Sequence, residues 1–205
     1  MEIKKIVSFL CEENCWLISN NSEGILIDPG FDTEKILKDC DGIKIPFILL
    51  THCQYDHIKS LKKIIDLKKS KVVSTLECSE NIGNKVTNAS YLFESDEVFE
   101  PSDIILSDDE ILNTSLGNIK CIKTPGHTNC GACYLIDNHL FSGDTLFKLS
   151  VGRWDLETGN EKILKDSIKD KIYILDDDII VHPGHGEDSY IGYEKKYNLY
   201  VKAEK

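Results

Sequence analysis

Four times along this chain an apolar run of strand length ends in a short polar loop that carries histidine or aspartate. The first run, Ile45-Pro46-Phe47-Ile48-Leu49-Leu50, leads into Thr51-His52-Cys53-Gln54-Tyr55-Asp56-His57. The other three loops set His or Asp beside glycine: Thr124-Pro125-Gly126-His127-Thr128, Phe141-Ser142-Gly143-Asp144-Thr145 and Val181-His182-Pro183-Gly184-His185-Gly186. A buried strand that ends in residues of metal-ligand type gathers their side chains at the rim of a sheet. Glycine there allows the sharp turns and close backbone approach that an ion with four or more ligands demands. In an extended segment His52, Gln54 and Asp56 project to one side and Cys53 and Tyr55 to the other, while His57 swings back toward the same point. The bland reading, polar loops with chance histidines, sits poorly with a chain that has only six histidines.

The rest of the chain reads as strands and short helices. Ile3 to Phe9, Cys15 to Ser19 and Gly24 to Asp28 predict three strands, the last closed by Pro29-Gly30. Thr33 to Cys40 predicts a helix with Asp32 as its N-cap. Ile58 to Lys69 predicts another, with Ile58, Leu61, Ile64, Ile65 and Leu67 forming a stripe packed on a sheet and an N-terminus that favours an ionised Asp56. A strand at Lys71 to Ser74 and a short helix at Thr75 to Asn81 follow, after which the signal is weak to Glu97. Ile104 to Leu106, Glu110 to Leu112, Ile119 to Lys123, Ala132 to Ile136 and His139 to Ser142 predict a second sheet. Then come a helix at Glu161 to Lys169, a strand at Ile179 to His182, and a closing helix at Ile191 to Leu199 with Glu194-Lys195-Lys196 exposed. The pattern alone gives an α/β or α+β chain without a repeat.

Composition narrows the function. A length of 205 residues suits one domain, 1–205. A net charge of −11 argues against nucleic acid or an anionic membrane as the main partner, since both call for a basic surface. The longest apolar runs are strand-sized and Met1-Glu2-Ile3-Lys4-Lys5 lacks a signal-peptide core, so a cytoplasmic location is expected. There the eight cysteines are expected to be reduced. Cys130-Gly131-Ala132-Cys133 has C-x-x-C spacing, but Cys133 lies in an apolar strand and reads as a core residue.

With these residues in view, the chain resembles the metallo-β-lactamase fold family. The pattern H-x-H-x-D-H, with Gln54 in place of its second histidine, is followed in the family's order by TPGHT, GDTLF and PGHG. The resemblance implies an α+β, four-layer αββα sandwich of two mixed sheets with helices on both outer faces. It also implies a dinuclear centre in which His52, position 54 and His127 hold one ion, Asp56, His57 and His185 hold the other, and Asp144 bridges. Imidazole and carboxylate ligands suit zinc, one or two ions, or iron(II). Such a pair generates hydroxide near neutral pH and polarises a carbonyl or phosphoryl oxygen, so hydrolysis of a small molecule is the expected reaction, with Asp56 as the catalytic residue that orients the hydroxide and accepts a proton.

Gln54 is the departure. Its neutral amide oxygen binds zinc more weakly than imidazole does, and leaves His52, His127 and Asp144 as a two-histidine, one-carboxylate set of the kind that holds non-haem iron. The expectation is a weakened dinuclear site, or a single ion among Asp56, His57, His185 and Asp144. The stretches Phe141 to Phe147 and Pro183 to Gly186 look like the hydroxyacylglutathione hydrolase (glyoxalase II) branch, which implies a thioester or ester substrate. The longer enzymes of that branch hold glutathione on an extra C-terminal helical domain, and this chain stops at Lys205. Two alternatives stand beside it: an iron oxidoreductase resembling persulfide dioxygenases, and a metal-binding module without turnover. Arg153 and Asp155 are expected to pair with each other, His182 to orient a ligand or do nothing, and His139 to sit in a turn.

Overall fold

The β-branched and leucine-rich runs of the first half align as one mixed sheet. In the computed structural model, which describes residues 1–20 and 22–203, its strands are β1 (Glu2–Val7), β2 (Asn14–Ser19), β3 (Glu23–Ile27), β4 (Lys44–Leu49), β5 (Lys71–Ser74) and β6 (Ile104–Ile105), in that spatial order. The first three run antiparallel and the last four parallel. The second half supplies β7 (Ile111–Thr114), β8 (Gly117–Lys123), β9 (Ala132–Ile136) and β10 (His139–Gly143). A small hairpin of β11 (Leu146–Phe147) and β12 (Ser150–Val151) comes next, then β13 (Ile180–Pro183) and β14 (Ser189–Tyr190). The second sheet has the order β14-β13-β10-β9-β8-β7 and is antiparallel except where β10 meets β13.

Three apolar layers hold the sandwich together. Trp16, Ile18, Ile25, Ile27, Leu49 and Val73 from the first sheet meet Ile119, Cys121, Tyr134, Ile136 and Phe141 from the second. The other face of the first sheet buries Leu17, Leu26, Ile45 and Ile48 under α1 (Thr33–Asp39), α2 (Tyr55–Ile58), α3 (Leu61–Lys68) and α4 (Leu76–Asn81). The outer face of the second buries Ile122, Cys133, Leu140 and Val181 under α5 (Glu161–Ser167), a π turn at Ile168–Ile172, and α6 (Ile191–Tyr197). Each such isoleucine or leucine contributes about 2 kcal/mol of transfer free energy. The αββα sandwich is therefore the observed architecture. No helix of the described residues is long and apolar enough to cross a membrane.

The structure departs from the sequence reading at several places, and Leu67, expected in the packed stripe, is exposed. Ile104 pairs with β5 in the first sheet, not with the second. The helix expected over 58–69 begins earlier and breaks at Ser60. There the backbone N–H donates to the Pro29 carbonyl (3.0 Å) and the hydroxyl to the Gly30 carbonyl (2.5 Å), so Ser60 clamps the turn after β3. Asp56 and His57 consequently lie in the first helical turn, beyond the extended segment that carries His52 and Gln54. Asp32 makes no side-chain cap; it is left-handed (φ 61°) and accepts from the Phe9 N–H at 2.7 Å. Glu194 is buried rather than exposed, with its carboxylate accepting from Ser189 Oγ, Leu149 N–H and Asn198 Nδ2.

Candidate metal centre

Strand ends from both sheets meet at one rim. His52 and Gln54 follow β4, Asp56 and His57 open α2, His127 follows β8, Asp144 follows β10 and His185 follows β13. Two glycines make the approach possible. A Cβ on Gly143, which is left-handed (φ +48°), would lie 2.2 Å from Thr51 Oγ1, and one on Gly184 would lie 2.2 Å from Asp144 Oδ1 and 2.7 Å from His57 Cε1.

The donor atoms form two groups that share Asp144. His57 Nε2 lies 3.3 Å from His185 Nε2, 3.4 Å from Asp144 Oδ1 and 3.9 Å from Asp56 Oδ2. His185 Nε2 lies 3.6 Å from Asp56 Oδ2 and 3.7 Å from Asp144 Oδ2. On the other side His127 Nε2 is 3.6 Å from Asp144 Oδ2 and 3.1 Å from Gln54 Oε1. His52, His127 and Asp144 also bring their donor atoms within 4.8 Å of one another. Ligands about 2.1 Å from a tetrahedral ion stand about 3.4 Å apart, so these separations fit two cations with a carboxylate between them.

Proton accounting points the same way. Thr51 Oγ1 donates to Asp28 Oδ2 at 2.5 Å and so accepts from His52 Nδ1 at 3.0 Å. That leaves a bare lone pair on His52 Nε2, which is buried without a hydrogen-bond partner among the described residues, as is Asp144 Oδ1. His127 Nδ1 lies 2.7 Å from the Arg153 carbonyl, an acceptor only, so Nδ1 holds a proton and Nε2 is the atom turned toward Gln54 Oε1. His57 Nδ1 donates to Asp28 Oδ2 at 3.1 Å, which turns its Nε2 toward Asp144 and His185. Buried acceptors aimed at one another cost several kcal/mol unless a cation or a proton lies between them. The donor set therefore fits a metal.

Electrostatics show what competes with that metal. Burial opposes charge on His57 and His185, yet the carboxylates of Asp144 and Asp56 outweigh it. They hold His57 well above the ordinary histidine range and His185 above it. Burial, reinforced by the neighbouring imidazoles, drives His52 well below that range. Burial also works against ionised Asp56, but His57 and His185 pull its pKa down to about 2. Protons on His57 and His185 thus take the place of a cation. Metal binding must expel them, so zinc affinity is expected to fall about tenfold or more between pH 8 and pH 6. Competition against a chromophoric chelator at each pH checks this.

Several participating residues carry no obvious signal in the sequence. Asp28, at the end of β3, accepts from the Thr51 N–H (2.8 Å), the Thr51 hydroxyl and His57, and thereby sets the orientation of two of the imidazoles. Glu13 is fully buried beside the same loops, accepting from the Gly30 and Phe31 N–H groups at 3.2 and 3.4 Å while its backbone bridges to His185. Burial pushes its carboxyl up to about 7. The unfolded chain releases this proton near 4.5 and the folded chain keeps it until about 7, so Glu13 withdraws stability as pH rises through that window, on the order of 3 kcal/mol. In metal-stripped protein, Glu13→Gln is expected to match wild type near pH 4.5 and to exceed it by about 2 kcal/mol at pH 8. Urea denaturation at the two pH values measures the difference.

Arg153 and Asp155 do pair, in a bidentate and exposed contact of 2.7 and 2.8 Å. Arg153 reaches the centre through its carbonyl instead of its guanidinium. His182 binds His139 (2.9 Å) and Asp188 (3.0 Å) and stacks on Phe141, away from the ligand set. His139 opens β10 instead of occupying a turn.

Comparison with known proteins agrees with the geometry. The model of the metallo-β-lactamase superfamily matches residues 9–185. The chain belongs to that superfamily. Among its relatives there, a Streptococcus pyogenes protein described as a probable metallo-hydrolase is 30% identical, with 97% of this chain and 89% of that protein covered. Hydroxyacylglutathione hydrolase GloC of Haemophilus influenzae is 28% identical over 99% of this chain and 98% of its own. The crystal structure of BLEG-1, described as a B3 metallo-β-lactamase, superposes with a TM-score of 0.91 at 28% identity, covering 98% of this chain and 99% of that one. TTHA1623 in a di-iron-bound form superposes at 0.84 with 26% identity, covering 97% and 100%. These superfamily structures share the two mixed sheets with outer helices seen here.

Proposed function

We propose that this chain is a metal-dependent hydrolase of a small thioester or ester, with His52, Gln54, His127 and Asp144 holding one ion and Asp56, His57, His185 and Asp144 the other. The observation that carries the reading is the convergence of the ring nitrogens of His52, His57 and His127 with the Asp144 carboxylate on one buried rim, where His52 Nε2 and Asp144 Oδ1 have no hydrogen-bond partner among the described residues. Likeness to GloC over nearly the whole of both chains supports the thioester. Zinc is the expected ion; the two-histidine, one-carboxylate remainder and the di-iron relative support iron as the alternative.

The ions supply Lewis acidity and a water of lowered pKa. The chain's own residues do the rest. Asp144 presents an oxygen to each ligand group and fixes their spacing. Asp56 Oδ2 faces both His57 and His185, which leaves Oδ1 to accept the hydrogen bond of an attacking water and aim it. His127 is held by the Arg153 carbonyl, and the buried Gln54 closes the same side with its amide 3.1 Å from His127 Nε2, a weaker ligand there than a third imidazole would be.

Gln54→His restores the third imidazole. Zinc affinity of the His52 side is expected to rise about tenfold to a hundredfold, read by chelator competition; an unchanged affinity contradicts the role given to Gln54. The function is tested by assaying zinc-loaded protein on S-lactoylglutathione, a nitrophenyl ester and nitrocefin. Thioester or ester turnover that chelation removes and zinc restores is the expected result. Turnover of nitrocefin alone places the reaction with β-lactam opening. Stoichiometric iron with thiol-dependent oxygen uptake, and no hydrolysis, overturns the proposal in favour of an oxidoreductase.

A further inference from the structure

A second group of soft donors lies beneath the metal centre. Cys53, on the loop after β4, Cys78, in α4, and Cys130, on the loop before β9, bring their sulfur atoms within 4.8 Å of one another. All three are almost completely buried. Cys53 Sγ and Cys130 Sγ are 3.7 Å apart. Cys133, the other half of the C-x-x-C spacing, faces elsewhere, toward Thr124 and the Ser142 carbonyl. Among the described residues, the other buried cysteines, Cys15, Cys40, Cys121 and Cys133, join no such group.

A small apolar residue would fill any one of these positions, yet three separate elements each place a sulfur in the same group. Sulfurs bound to a common ion at about 2.3 Å stand about 3.8 to 4.0 Å apart; Cys53 and Cys130 are at 3.7 Å, and Cys78 lies within 4.8 Å of both. Zinc in a closed structural site takes four ligands. Here the Thr128 hydroxyl, a neutral group, lies 3.4 Å from Cys130 Sγ, and among the described residues no histidine or carboxylate joins the three sulfurs within 4.8 Å; the nearby Glu77 is paired with Lys123. Thr75 Oγ1 is committed to the Cys78 N–H and the Cys130 carbonyl. Three sulfurs without a fourth ligand suit a soft monovalent cation with a filled d shell.

We propose that Cys53, Cys78 and Cys130 form a trigonal thiolate site for copper(I). Each sulfur–copper bond formed replaces an S–H bond, and the proton leaves to solvent; copper enters and remains as copper(I), so no electron is transferred. Cys53 lies between His52 and Gln54, and Cys130 three residues beyond His127. A bound ion therefore cross-links the two loops that present the Gln54 side of the metal centre to helix α4.

The test uses protein first saturated with zinc, so that the imidazole and carboxylate centre is filled, and then given copper(I) anaerobically against a chromophoric copper(I) chelator. Protein from copper-supplemented growth is measured in parallel, which removes slow entry into a buried site as an explanation of failure. One equivalent of copper(I) is expected, with X-ray absorption showing sulfur ligands alone at about 2.3 Å. Cys78→Ser, which lies on α4 away from the zinc ligands, is expected to weaken copper binding at least about a hundredfold with zinc content unchanged, whereas Cys121→Ser leaves both unchanged. Thermal melts of both variants confirm that they are folded, and Cys130→Ser provides the same reading should Cys78→Ser fail to fold. Copper bound through nitrogen or oxygen, no copper in either preparation, or equal affinity in Cys78→Ser and wild type overturns the proposal.

Discussion

Asp144→Asn is expected to lose both ions and at least about a thousandfold in turnover, equivalent to roughly 4 kcal/mol of transition-state stabilisation. The carboxylate is shared: Oδ1 faces His57 at 3.4 Å, while Oδ2 faces His127 at 3.6 Å and His185 at 3.7 Å. An amide in its place has one neutral oxygen for two cations and turns N–H donors toward the other. Elemental analysis of the purified variant alongside the hydrolase assay separates the causes. Two zinc ions retained with near-normal turnover contradict a bridging role.

The second large effect is expected at Asp28, which lies behind the proposed ligands His52 and His57. Its carboxylate accepts from Thr51 twice and from His57 once, so it fixes the proton on Nδ1 of His57 directly and on Nδ1 of His52 through the Thr51 hydroxyl. Asp28→Ala strands these donors in a buried site. A stability loss of about 3 kcal/mol is expected in chemical denaturation, because a buried acceptor of three hydrogen bonds is removed and its partners are left unpaired. Zinc affinity is expected to drop about tenfold to a hundredfold, the usual cost of losing the group that orients a ligand histidine. Asp28→Asn, which keeps the shape, distinguishes the two losses: stability recovers in part, while the wrong donor facing Thr51 or His57 keeps the affinity low.

Much of the centre was legible because ligand-type residues occur at the ends of apolar runs, where a sheet must place them on one rim. Gly143 and Gly184 marked where backbone has to pass within contact of Thr51, His57 and Asp144. Asp28 and Glu13 were not legible, since a carboxylate at the end of a strand or before one looks the same whether it faces water or lies beneath an imidazole. Glu194 misled for a related reason: its neighbours Lys195 and Lys196 announce an exposed face, and only the tertiary donors Ser189, Leu149 and Asn198 account for its burial. The break at Ser60 follows from bonds to Pro29 and Gly30, about thirty residues away, which helical periodicity does not encode. Likewise, the two-residue strand at Ile104 carries too little pattern to choose a sheet by itself, and its partner β5 decided it.

Anomalous diffraction at the zinc edge from zinc-loaded crystals tests the account most directly. It predicts a strong peak enclosed by Asp56, His57, His185 and Asp144, and a second, of lower occupancy, between His52, His127 and Asp144 beside Gln54. Peaks confined to surface carboxylates, with these imidazoles and Asp144 free of any ion, would contradict it.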